Sequence, residues 1–66
     1  MMNDLQAFVY VSIISADNDE FGLSEADKQD IMSRRDSSND WSYILEPIKD
    51  EDVRKTLIKL FENETD

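Results

Sequence analysis

Ala7-Phe8-Val9-Tyr10-Val11-Ser12-Ile13-Ile14 is the one stretch of the chain apolar enough to seed a core, interrupted only by Ser12. Whether it is helix or strand decides the fold. As a helix, Leu5, Phe8, Val9 and Ile13 share one face and Ala7, Tyr10, Val11 and Ile14 another, so it would be apolar nearly all round and would have to be central. The β-branched and aromatic content of residues 8–14 suits a buried strand almost as well, because periodicity does not discriminate in a short run that is apolar on both faces. Asn3, followed three residues later by Gln6, reads as a capping box. With that cap in place and no hairpin partner of similar apolarity downstream, the sequence predicts a central helix over 4–16.

Asp17 to Gly22 is polar and ends in the only glycine of the chain, which marks a turn able to take a positive φ. Ser24-Glu25-Ala26-Asp27 repeats the capping-box pattern, with acids in the first turn, where the helix dipole favours them. A second helix follows over 25–35, with Arg34 and Arg35 at its carboxyl end and a narrow contact stripe of Ala26, Ile31 and Met32. Asp36 to Asp40 reads as a loop by composition. Trp41, Tyr43, Ile44 and Leu45 then predict one or two helical turns over 41–46, since Pro47 disfavours helical geometry at Glu46. Their aromatic area should close one end of the core, with the polar tips of Trp41 and Tyr43 near water.

The last helix, 51–62, is capped by Asp50 and carries Val53, Leu57, Leu60 and Phe61 on one face. Asp50 with Arg54 and Glu51 with Lys55 have the acid-first spacing of four that supports a helix. Residues 63–66 should fray. The expected fold is all-α, a compact bundle of three or four short helices forming one domain over 1–66.

Sixty-six residues lie near the lower limit for independent folding. A core of this size supplies no more than about 3–5 kcal/mol, which small domains usually supplement with disulfides, a metal or a partner. The chain has no cysteine and no histidine, which rules out disulfides and leaves zinc only carboxylates, ligands that favour harder cations. A partner protein or a homodimer is the expected support. The amino-terminal region has no basic segment, and its apolar run is far short of the ~20 residues of a membrane span, so the sequence reads as soluble and cytoplasmic.

Sixteen acids against seven bases give a net charge of −9, which argues against direct binding to nucleic acid or to an anionic membrane. The expected partner is a larger protein with a basic surface. From Asp17 to Asp30 six acids (Asp17, Asp19, Glu20, Glu25, Asp27 and Asp30) face only Lys28, a local charge of −5. These six are the candidate partner-binding residues.

Serine or threonine nucleophiles would have no histidine base here, there is no thiol, and a chain this short hardly encloses a substrate cleft. No phosphate-binding glycine loop is present either. The sequence therefore predicts a protein that is not an enzyme and needs no cofactor. Asp17, Asp19 and Gly22 match positions one, three and six of a calcium-binding EF-hand loop, but Phe21 takes a ligand position and Lys28 stands where the bidentate glutamate belongs. Asp17, Asp19, Glu20 and Glu25 are thus candidates for weak divalent-cation binding, against the simpler account of a solvated turn beside helix-capping acids.

Ile13-Ile14-Ser15-Ala16-Asp17, then Ser24-Glu25 opening a helix, and later Ile48 to Phe61, resemble the tellurite-resistance protein B (TerB) family. The resemblance covers about half the positions of a chain about half that family's length, and it implies an acidic helical module associated with divalent metals. The chain departs from the pattern at Asn18, where the family has glycine, and offers no second acidic motif beyond Asp66. In size and charge alone, the chain also resembles the small acidic inhibitors of phages and mobile elements, the DNA-mimic anti-restriction and anti-CRISPR proteins. That resemblance implies counter-defence by blocking a basic, nucleic-acid-binding site. Duplex DNA carries a charge about every 1.7 Å, whereas helical acids three or four residues apart lie roughly 5 Å apart along the axis. A mimic would therefore have to combine acids of the turn, the second helix and the 36–40 loop. A third reading is a small dimeric or subunit-like protein that offers a packing surface through Trp41, Tyr43 and the Phe61 face.

Overall fold

In the computed structural model, which describes residues 2–63, four capped helices succeed one another: α1 (Asp4–Ile14), α2 (Glu25–Ser37), α3 (Trp41–Ile44) and α4 (Glu51–Glu62). The chain is all-α, with no strand among the described residues. Residues 64–66, and with them most of the segment expected to fray, lie outside the described residues.

The caps are those the sequence specifies. Asn3 Oδ1 accepts from Gln6 N and Gln6 Oε1 from Asn3 N, both at 2.8 Å, closing the first box. Ser24 and Asp27 close the second, and Asp50 Oδ1 accepts from both Asp52 N and Val53 N at the start of α4. Gly22 takes φ 64°, as its turn requires. Lys55 pairs with Glu51 at 3.0 Å. Arg54 does not reach for Asp50, whose carboxylate is engaged as a cap; its Nη1 donates to the Ile48 carbonyl oxygen at 2.8 Å.

Three boundaries differ from expectation, each for a local reason. α1 stops at Ile14 rather than residue 16, because Ser15 is extended and its carbonyl oxygen accepts from the Lys28 ammonium. α2 runs on to Ser37, so Asp36 and Ser37 are helical rather than part of a loop; Ser37 Oγ donates back to the Ser33 and Arg34 carbonyls. α3 ends at Ile44, and residues 45–47 continue as turn up to Pro47.

The larger correction concerns α1, which is peripheral rather than central. Its buried residues are Gln6 and Ile13, while Leu5, Phe8 and Val11 stand 58%, 71% and 59% exposed. Three short helices cannot enclose a fourth on every side, since small chains keep much of their surface in contact with solvent. The core gathers instead on the segment after Asp40: Trp41, Ile44, Leu45 and Ile48 join Ile13, Leu23, Ile31, Leu57 and Phe61.

Trp41 and Phe61 stack with ring centroids 4.2 Å apart, and Tyr10 meets both rings edge-on, which ties α1, α3 and α4 together. Trp41 packs its rings into the core, 5% exposed, while Tyr43 is exposed. Burying Trp41 and Phe61 removes them from the packing surface read from the sequence.

Candidate functional site

The acidic segment from Asp17 to Asp30 is built around an inward-pointing lysine. Lys28, one turn into α2, is 2% exposed, and its Nζ donates to the carbonyl oxygens of Ser15 at 2.7 Å and Asn18 at 2.8 Å. α1 has no basic residue in its own last turn, so Lys28 supplies from α2 the positive charge that the carboxyl end of a helix favours. Asn18 Oδ1 accepts from Glu20 N, and Gly22 N donates to the Asp19 carbonyl, which fixes the rest of the turn.

With Lys28 turned inward, the charges left outside are carboxylates. Asp17, Asp19, Glu20 and Glu25 are exposed, and among the described residues no side-chain hydrogen bond or ion pair engages them. The other two acids already have structural duties. Asp27 Oδ2 accepts from Ser24 N in the capping box, and Asp30 Oδ1 accepts from Arg34 Nε at 3.1 Å. The six sequence-selected acids therefore divide into four exposed on the turn and first helical position, one cap, and one member of an ion pair.

Arg34 is a joint between elements. Besides Asp30 it reaches Glu46 at 3.4 Å, donates from Nη1 to the Tyr43 carbonyl at 2.8 Å, and lies 4.6 Å from the centroid of the Tyr43 ring. The hydrogen bond it donates to Asp30 holds its guanidinium above the ordinary arginine pKa. Arg35 covers the edge of the core, 5.2 Å over the Trp41 ring, and is steadied by Asn39.

As a cation site the turn is poorly arranged. Among the described residues no three carboxylates come together as a metal-holding group, and the Lys28 ammonium already occupies two of the carbonyl oxygens of the turn. Lys28 takes the EF-hand position of the bidentate glutamate and fills, with its own charge, the role a bound cation would have in ordering the loop.

Besides the inward turn of Lys28, sequence reasoning missed the exposed ridge of Leu5, Phe8 and Val11 on α1. The available signal was a helix apolar on every side in a chain too short to cover it. Among the described residues no helix is long and apolar enough to cross a membrane.

No protein-family model matches this chain, and neither a curated protein nor a solved structure matches it.

Proposed function

We propose that this is a non-enzymatic binding protein that docks its acidic turn on a basic surface of a larger protein and blocks it. The observation that carries the reading is the inward turn of Lys28, which leaves Asp17, Asp19, Glu20 and Glu25 exposed and, among the described residues, outside any ion pair. Such an acidic turn, on a chain of net charge −9, speeds encounter with a positively charged cleft and repels anionic partners. To occupy a cleft that ordinarily holds nucleic acid, Asp36 of α2 and Asp40 would have to join the turn in the contact, and phage counter-defence is the setting in which such blockade is useful.

The test compares the wild type with the variant Asp17→Asn, Asp19→Asn, Glu20→Gln, Glu25→Gln as baits in extract from the native host. At low salt the wild type should retain a basic protein that physiological salt releases faster, and the quadruple variant should retain little of it. Equal retention by both baits, indifferent to salt, sinks the proposal.

A further inference from the structure

A phenylalanine 71% exposed on a helix, with Leu5 and Val11 beside it at more than half exposure, is an unusual surface for so polar a chain. The three side chains follow one another at spacings of three, and Ala7 and Ser12, on the same side of α1, are small enough to let a partner approach closely. Residues 5–16 carry no charge, whereas Asp4 stands at one end of the ridge and Asp17, Asp19 and Glu20 at the other. The acidic turn is joined directly to the ridge, because Lys28 clamps Ser15 and Asn18 at the point where α1 ends.

This charge layout decides between occupants. A second copy laid antiparallel along α1 sets each Asp4 against the other copy's Asp17 to Glu20; laid parallel, it sets turn against turn. Both arrangements set like charge against like charge at the ends of the ridge, which opposes self-association. The ridge exposes a few hundred Å², less than the roughly 800 Å² per partner of a standard interface, so it suits an anchor gripped on both flanks rather than a flat face.

Resting on the function proposed above, we infer that Leu5, Phe8 and Val11 are the apolar anchors of the docking surface. They fit an apolar, helix-receiving groove whose rim carries lysine and arginine where it meets the Asp17 to Glu20 turn. Recognition of one helix face by such a groove is read at positions three and four residues apart, and a central aromatic carries most of the binding.

The probe is a synthetic helical hairpin of leucine and lysine, with lysines flanking a leucine-lined groove, titrated into the isotope-labelled chain; the control hairpin has serine for leucine. The expected amide shifts cluster at residues 5–12 and 17–20. Phe8→Ser and, separately, Leu5→Ser should each weaken binding about tenfold while leaving circular dichroism and melting unchanged, and the control hairpin should bind as weakly as those variants. If both serine variants bind the leucine hairpin as tightly as the parent, or the control hairpin binds equally well, the inference is wrong. In that case a loss seen only with the four neutralised acids leaves the acidic docking function standing. If instead the serine variants lose binding and the neutralised acids lose none, the basic rim is wrong, and the acidic function with it. Sedimentation showing a dimer that Phe8→Ser dissolves would assign the ridge to a second copy and overturn the groove.

Discussion

The Lys28 ammonium donates to the Ser15 carbonyl oxygen at 2.7 Å, so the carboxyl end of α1 is finished by a side chain thirteen residues downstream. A lysine that reads in the sequence as the lone counter-charge of an acidic segment is a buried structural cation. Its stem is buried, and its charge lies where two carbonyls need a donor.

Lys28→Met keeps that stem and removes the charge, stranding the Ser15 and Asn18 carbonyls. Hydrogen bonds to a charged group contribute about 1.5–3 kcal/mol, so urea unfolding should show a loss of that order. For a domain of this size each kcal/mol lowers Tm by roughly 4–8 °C. A change within about 0.5 kcal/mol, the usual result for a surface position, would place the ammonium in solvent.

Calcium or magnesium at millimolar concentration should leave the melting temperature of the wild type unchanged. A ligand that binds only the folded state stabilises it by mass action, and here the internal cation already holds the loop carbonyls. An upward shift, with chemical-shift changes confined to Asp17 through Glu25, would restore the metal-binding reading.

Phe61→Ala and Phe8→Ala should differ sharply although they remove the same side chain. Phe61 is fully buried against Trp41, and its truncation should cost about 3–5 kcal/mol, comparable to the whole stability of a chain this small. Phe8 is exposed, and its truncation should cost under about 0.5 kcal/mol. The fluorescence of Trp41, the only tryptophan, reports the difference: emission stays blue-shifted in Phe8→Ala and moves to the red in Phe61→Ala. Equal losses would mean that α1 is central after all.

Gln6 Nε2 donates to the Leu60 carbonyl oxygen at 2.8 Å, one of the last four carbonyls of α4, which have no partner within their own helix. Gln6→Ala removes this bond and half of the capping box, so chemical denaturation should show a loss of about 1–3 kcal/mol. Gln6→Glu keeps the box acceptor but has no donor for Leu60 once ionised. It should therefore fall short of the wild type at neutral pH and recover part of the difference on acidification.

Burial raises the Tyr10 phenol above its ordinary value of 10.0, and the nearby Arg35 guanidinium opposes that rise. A group whose folded pKa is raised favours the folded state fully below the unfolded value and loses that contribution as pH climbs through the folded one. Melting temperature should accordingly fall above about pH 10, and Tyr10→Phe should flatten that alkaline limb. An unchanged slope in Tyr10→Phe would assign the decline to other groups.

What the sequence determined by itself is everything carried by neighbours three or four residues apart. Asn3 with Gln6, Ser24 with Asp27, and Asp50 ahead of Val53 set where helices begin, and Leu57 and Phe61 set the inner face of α4, because these relationships are closed within one turn of helix. The acidic cluster and the turn at Gly22 were legible for the same reason. Which side of α1 faces inward was not: a helix apolar on every side has no periodicity to choose by, and only the limited area that α2, α3 and α4 offer selected Gln6 and Ile13 over Phe8 and Val11. The burial of Lys28 and the reach of Gln6 to Leu60, across 54 residues, were likewise decided in three dimensions. Each satisfies a helix-end carbonyl whose missing partner exists only once separate helices have come together.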